Sequence, residues 1–372
     1  MARSLSLLLC VLIGSWLILS TPFPAPDELQ HVSFAAYLQE TGRWVGRYDE
    51  QKTLSADDFR VWTERPNYIG HPSPYYVFIS WFLDRSLPPQ VAVLLPRAAS
   101  FGLMLAGLLA AVGARKAGWV FCAALVLCPA MLATGRQVNN DALGVLGGCL
   151  AYAAVARRLA DGGWRRGALA GVGLAVALWA KPTAGLEVGF FLSVAMLLAG
   201  WRRVGWPVWL GVMAGGVVGV AVYVPIWLRY RAIVPVAVEM FSAVPHGNGF
   251  ADYVPLFFVN VGSDWGFPRG AMAPWLLWLV ALVFWAMLGW IGWGAWRRRS
   301  VPGMAGVAAF LMVLPIHFGF SAVHLGFSIP AASFRYYLPL WPALADGLAC
   351  AVGQRKVAVA VVGAVYLLGW WA

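Results

Sequence analysis

Charge is scarce in this chain. Asp, Glu, Lys and Arg make up 12% of its 372 residues, about half of what a soluble protein carries. So few charges cannot coat a water-facing surface of that size. Acids are scarcer than bases, 16 against 27. There are five histidines and five cysteines, and Cys10, Cys122, Cys128, Cys149 and Cys350 all fall within apolar runs. None has the spacing of a zinc site or of a disulfide framework, so they read as small core residues. No internal repeat is evident, which argues against a transporter built from duplicated halves.

Apolar residues fill the space that charge leaves, at 61% of the chain with a mean hydropathy of +0.71. Runs of about 20 apolar residues are the length that crosses a bilayer as a helix. Barrel strands would be half as long and alternate in polarity. The sequence therefore predicts an all-α polytopic membrane protein, one transmembrane domain over residues 1–372. Eleven spans are expected, near 4–20, 89–113, 118–134, 141–157, 167–180, 183–200, 206–228, 272–296, 302–320, 336–352 and 356–371. A weaker stretch, 74–83, is too short to span and reads as re-entrant or interfacial. The 21 Trp and 12 Tyr fit interfacial belts.

The net charge of +11 follows from topology. With the N-terminus inside, the inner turns collect fourteen basic residues, from Arg3 through Arg297, Arg298 and Arg299 to Lys356, against one acid, Asp161. That is the positive-inside pattern, and it removes the case for nucleic acid as a partner. The first run reads as an uncleaved anchor rather than a signal peptide, because no small-residue cleavage site precedes Pro22. The long loops, 21–88 and 229–271, then both face outward. Short inner turns with this bias point to a bacterial inner membrane, with the N-terminus cytoplasmic and the working face in the periplasm.

Five polar clusters break the apolar pattern, all on the outer side. The first, PAPDELQH, places Asp27 and Glu28 at a helix start, with His31 on the same face as Asp27. Acids there also simply complement the helix dipole. The second, PNYIGHPSPYY, is held irregular by its prolines and carries His71, Tyr75 and Tyr76. An aromatic-belt loop accounts equally well for its tyrosines. The third, TGRQVNND, gathers Arg136, Asn139, Asn140 and Asp141, of which helix capping explains only one. The fourth is Lys181 at a tight outer turn, with Glu187 further along the following run as its expected ion-pair partner. The fifth, SFRYYLPLWP, opens a span with Arg335, where both the dipole and the positive-inside rule oppose a cation. Asp346, deeper in that span, needs a partner or a cavity.

Carboxylates beside Arg136, Lys181, Arg335 and histidines at one membrane face suit an anionic lipid headgroup. The cations would hold a phosphate and the charge developing on it, and a carboxylate would deprotonate an acceptor hydroxyl. The same basic, aromatic surface also serves a transporter or flippase of a lipid-linked sugar. A polysaccharide polymerase or ligase would concentrate its key residues in one late outer loop, and a scaffold would need none of them.

The set Pro26-Asp27-Glu28-His31, Asn140-Asp141-Ala142-Leu143 and Arg335-Tyr336-Pro339 resembles the GT-C class of membrane glycosyltransferases. The protein O-mannosyltransferases and the bacterial aminoarabinose transferase of lipid A belong to that class, and the motifs resemble those of its bacterial members. The resemblance implies short surface helices in the first outer loop and a polyprenyl-phosphate sugar donor. It also implies inverting transfer, with Asp27 as base and Glu28 orienting it or sharing a metal. His31, His71, Tyr75, Arg136, Asn140, Asp141, Lys181, Arg335 and Tyr336 would then bind substrate, with Lys181 and Arg335 on the donor phosphate. A divalent ion, Mg or Mn, is used by some members, and Asp27, Glu28, His31 and Asp141 would be its ligands. The soluble C-terminal domain of some members has no counterpart in the resemblance, so a lipid or glycan acceptor is expected.

Overall fold

A computed structural model gives the fold, describing residues 2–25, 27–44, 51–67, 69, 73–114, 118–126, 128–157, 163–231, 249–263, 273–324 and 333–353. The first apolar run is α1 (Ala2–Ser20). Residues 21–88 hold α2 (Glu28–Thr41), a hairpin of β1 (Lys52–Leu54) and β2 (Trp62–Pro66), and α3 (Pro74–Ser80). There follow a single turn, α4 (Pro89–Ala92), and then α5 (Leu94–Ala114), α6 (Trp119–Val126), α7 (Pro129–Gly135) and α8 (Asp141–Ala156). Next come α9 (Trp164–Ala180), α10 (Pro182–Leu198), α11 (Trp206–Ala221) and α12 (Val224–Tyr230). The last part comprises α13 (Phe250–Ser263), α14 (Pro274–Arg297), α15 (Val301–His324), a 3₁₀ segment (Phe334–Leu340) and α16 (Trp341–Val352).

The fold is helical, and its apolar runs are helices wherever they are described. Three of these helices are long and apolar enough to cross a membrane: Pro89–Ala114, Pro274–Arg297 and Val301–Ala322. Taken as one span, α11 and α12, bent by 42°, make a fourth. Ser4–Ser20, Asp141–Ala156 and Pro182–Leu198 are apolar but shorter. The expected count of eleven thus becomes three or four by length among the described residues. The run 118–134 is split where Pro129 starts a new helix, and Lys181 in extended backbone separates α9 from α10. Residues 356–371 lie outside the described residues.

Helix α8 sits at the centre. It is apolar nearly all round and buried along almost its whole length, against α5 and α9 on its sides and the 3₁₀ segment across it. Glycines permit that closeness. A Cβ on Gly148 would collide with the backbone of Pro339, and one on Gly147 with the backbone of α9. Helices α9 and α11 meet through Gly167 and Gly171 against Gly211 and Gly215, each lying on the other helix's backbone. Small residues at this four-residue spacing let helices pack closely where the hydrophobic effect gives no driving force.

Helix α2, the hairpin and α3 are tied to one another. Gln39 donates to the carbonyls of Ser80 (2.6 Å) and Leu83 (2.8 Å), locking α2 to α3. Ser33 accepts from the N–H of Leu54 at 2.9 Å, fixing the hairpin against α2. The strands are antiparallel, Lys52 opposite Pro66 and Leu54 opposite Trp62, with an irregularity between. The stretch 74–83 contributes the short helix α3, opened by Pro74 with Ser73 accepting from the N–H of Tyr75 at 3.3 Å.

Candidate active site

The turn from α1 into α2 is the starting point. Asp27 precedes α2 with φ +64°, a left-handed conformation that costs a non-glycine residue free energy. The next residue explains why it persists. Glu28 is fully buried and accepts from Arg97 of α5 through both oxygens, Nε to Oε1 at 2.7 Å and Nη2 to Oε2 at 2.6 Å. It also accepts from the N–H groups of Ala25 (3.1 Å) and Val138 (2.9 Å). Arg97 donates in addition to the carbonyls of Ile18 (3.2 Å), Thr21 (2.8 Å) and Pro22 (3.3 Å). One bidentate pair therefore clamps the end of α1, the start of α2, α5 and the loop before α8. Both oxygens of Glu28 are thus engaged by Arg97 and two backbone N–H groups rather than by Asp27, the residue it was expected to orient or to share a metal with.

With its neighbour fixed, Asp27 faces Arg335. Arg335 Nη2 donates to Asp27 Oδ2 at 2.7 Å, joining residues 308 apart in sequence. This pair is open: the side chains are 30% and 28% exposed, against 0% and 2% for Glu28 and Arg97. The 3₁₀ segment positions Arg335, whose N–H donates to Ser333 Oγ at 3.3 Å. Arg335 Nε has no partner among the described residues.

A second ion pair, Lys181 with Asp141, stands beside the first. Asp141 starts α8, its N–H donating to Asn139 Oδ1 at 2.9 Å. Asn140 donates to the carbonyl of Ala180 at 2.6 Å, which holds the start of α8 against the turn carrying Lys181. Tyr336 joins the two pairs, with Lys181 Nζ 4.4 Å and Arg335 Cζ 5.3 Å from its ring centroid. His31, buried on α2, bonds Tyr76 Oη through Nδ1 at 2.9 Å. Burial pushes its imidazole down to about 4, the carboxylates of Asp27 and Asp141 opposing and the cations of Arg335 and Lys181 adding. It is neutral at pH 7 and within reach of all four charges.

The structure thus brings together Asp27, His31, Asn140, Asp141, Lys181, Arg335 and Tyr336 from four separate parts of the chain. Arg136 caps the end of α7 beside Glu28 and Arg97, half-buried, with its Nε unpartnered among the described residues. Tyr75 is fully buried behind the site, its hydroxyl paired with Ser100 at 2.6 Å, and is a wall rather than a contact surface. His71 lies outside the described residues. Glu187 does not pair with Lys181, which Asp141 has taken. Asp346 does find partners, Tyr152 at 3.2 Å and Ser300.

The expected metal ligands Asp27, Glu28, His31 and Asp141 do not form a cage. Arg335, Arg97, Tyr76 and Lys181 hold them one by one, and no group of three or more His, Cys, Asp or Glu suited to a metal exists among the described residues. Sequence reasoning missed Arg97. Its signal was available: an arginine just inside the outer end of an apolar run is the same anomaly that marked Arg335.

No family model matches the sequence, and no curated protein matches it. The fold is similar to the crystal structure of the Archaeoglobus fulgidus oligosaccharyltransferase tethered by a disulfide to an acceptor peptide containing an NVT sequon. The TM-score is 0.52 at 13% identity, over 99% of this chain and 54% of that one. This chain therefore spans about half the length of the protein it matches. The two share a fold.

Proposed function

We propose that the chain is a glycosyltransferase that moves a sugar from a polyprenyl-phosphate donor to a lipid or glycan acceptor at the outer membrane face. The observation that carries this reading is the open Asp27–Arg335 pair beside Lys181–Asp141, with Tyr336 between the two cations. Two cations within reach of one aromatic ring match a phosphate that gains charge as it leaves. Asp27 accepts the proton of the acceptor hydroxyl as that oxygen attacks the anomeric carbon. The bond from that carbon to the phosphate oxygen breaks, and the electron pair leaves with the phosphate onto Arg335 and Lys181. Attack opposite the leaving group inverts the anomeric centre. Neutral His31 and Asn140 shape the sugar and acceptor side, and Arg136 lies at its edge. No step is routed through a metal.

The shared fold with an oligosaccharyltransferase supports the transferase reading over a flippase. So does the position of every described member of the cluster at one end of the helices. In this reading all eleven apolar runs lie within the membrane as a single domain, the loops 21–88 and 229–271 face the periplasm of a bacterial inner membrane, and His71 completes the first loop's contribution.

The test is transfer of radiolabelled sugar from polyprenyl-phosphate donors by the purified protein, beside Asp27→Asn. Transfer by the wild type and its loss in a variant that still binds donor is the expected result. An Asp27→Asn protein as active as the wild type would remove Asp27 as base. Movement of lipid-linked sugar across vesicles without any transfer would favour a flippase.

A further inference from the structure

Glu187 is a buried acid that the arrangement above does not use. It lies on α10, six residues beyond Lys181, and its side chain is buried at 1% exposure. Neither carboxylate oxygen has a hydrogen-bond partner among the described residues. Thr183 precedes it by one turn, on the same face of the helix, and its Oγ1 is likewise buried without a partner. The charges that reach Glu187 are Lys181 and Asp141, which already satisfy each other. On the other side stands Tyr337 of the 3₁₀ segment, within electrostatic range of Glu187, its hydroxyl bonded to His317 Nδ1 of α15 at 2.7 Å. Acids inside apolar helix bundles almost always pair or face a ligand path. Among the described residues Glu187 has no hydrogen-bond donor.

What the described residues do not supply is hydrogen-bond partners for Glu187 and Thr183. A phosphate offers acceptors and like charge, and its cations are one level up at Lys181 and Arg335. A polyprenyl tail offers no polar group. Of the three parts of the proposed donor, only the sugar carries hydroxyls. Six residues of helix place Glu187 about 9 Å along the axis from Lys181, a distance that a monosaccharide attached to a phosphate at Lys181 can bridge. We propose that Glu187, with Thr183 beside it, binds hydroxyl groups of the transferred sugar and determines which sugar the site accepts. This rests on the polyprenyl-phosphate reading above.

The test compares wild type with Glu187→Gln in detergent. Affinity is measured by intrinsic tryptophan fluorescence for undecaprenyl phosphate alone and for undecaprenyl phosphate carrying glucose, galactose or mannose. Wild type is expected to hold at least one sugar-bearing lipid more tightly than the bare one. Glu187→Gln is expected to lose that advantage, on the order of 3- to 10-fold for a hydrogen bond between neutral groups, with affinity for bare undecaprenyl phosphate unchanged. Its melting temperature is expected to stay level or rise, because the buried carboxyl it replaces has no hydrogen-bond partner among the described residues. An equal loss on bare and sugar-bearing lipids overturns the inference, since Glu187 would then serve the phosphate or the fold. A marked fall in melting temperature does so too, by showing that the protein itself satisfies the carboxylate. If wild type binds all four lipids equally, there is no sugar subsite, and the polyprenyl-phosphate reading survives without it. If wild type binds none of them, that reading fails and takes the inference with it.

Discussion

Arg97 is buried with a carboxylate, and that makes its removal the sharpest test of the architecture around Asp27. Replacing it with methionine keeps most of the volume and deletes the charge. Glu28 would be left fully buried with only two backbone N–H groups, and three carbonyls, of Ile18, Thr21 and Pro22, would lose their donor. Stranding one partner of a buried pair costs about 3–5 kcal/mol. Adding Glu28→Gln removes the stranded charge while the amide oxygen still accepts from Val138 or Ala25, so the double variant is expected to regain about half of that loss. Thermal unfolding of the purified protein in detergent, followed by near-ultraviolet circular dichroism, reads both effects. An Arg97→Met protein within 1 kcal/mol of wild type (a threshold at the upper end for exposed pairs) would refute the reasoning. A double variant less stable than the single by the full cost of a second lesion would refute it too.

His31 predicts a pH dependence. Its folded imidazole titrates at about 4, against 6.5 for an ordinary histidine. Between those values the unfolded chain binds the extra proton, so stability is fully present above pH 6.5 and falls as pH drops towards 4. The loss amounts to roughly 3 kcal/mol; His31→Gln is expected to flatten that part of a melting-temperature profile, and an unchanged slope would contradict the burial argument. Gly148→Ala would drive a methyl into the backbone of Pro339 and shift the segment bearing Arg335. Misplacement of about an ångström is expected to lower transfer on the order of 100-fold, measured as turnover with the melting temperature taken in parallel. Gly171→Leu would force α9 from α11, at a cost of about 1–3 kcal/mol in unfolding experiments.

Much of the site was legible because its residues break local rules. Arg335 sits where both the helix dipole and the topology oppose a cation, and it is indeed half of the open pair. Asp141 exceeds what capping requires, and Lys181 holds it. Other assignments depended on distance in space, which spacing does not encode. Asp27 and Glu28 are adjacent and chemically alike, yet one faces Arg335 and the other is spent on Arg97, a partner 69 residues away. Glu187 looked like a mate for Lys181 because both flank one short turn. Lys181 lies in extended backbone before α10, and Asp141 arrives from α8 as its partner instead. The run lengths overstated the number of long helices: Pro129 starts a new helix inside the run 118–134 without making it polar, and α8 and α10 are apolar but short.

The ion pairs also differ in when they can exist. Lys181 and Asp141 are 40 residues apart, Glu28 and Arg97 are 69 apart, and Asp27 and Arg335 are 308 apart. A chain emerging N-terminus first can close the first two while most of it is still unmade. The third waits for nearly the whole polypeptide, and closing so large a loop carries an entropy cost that later contacts must offset. Asp27 is among the first polar residues synthesised and the last of the cluster to meet its partner. An incompletely inserted copy thus holds its acid in place without the cation opposite it, and the working face is complete only in a fully assembled molecule.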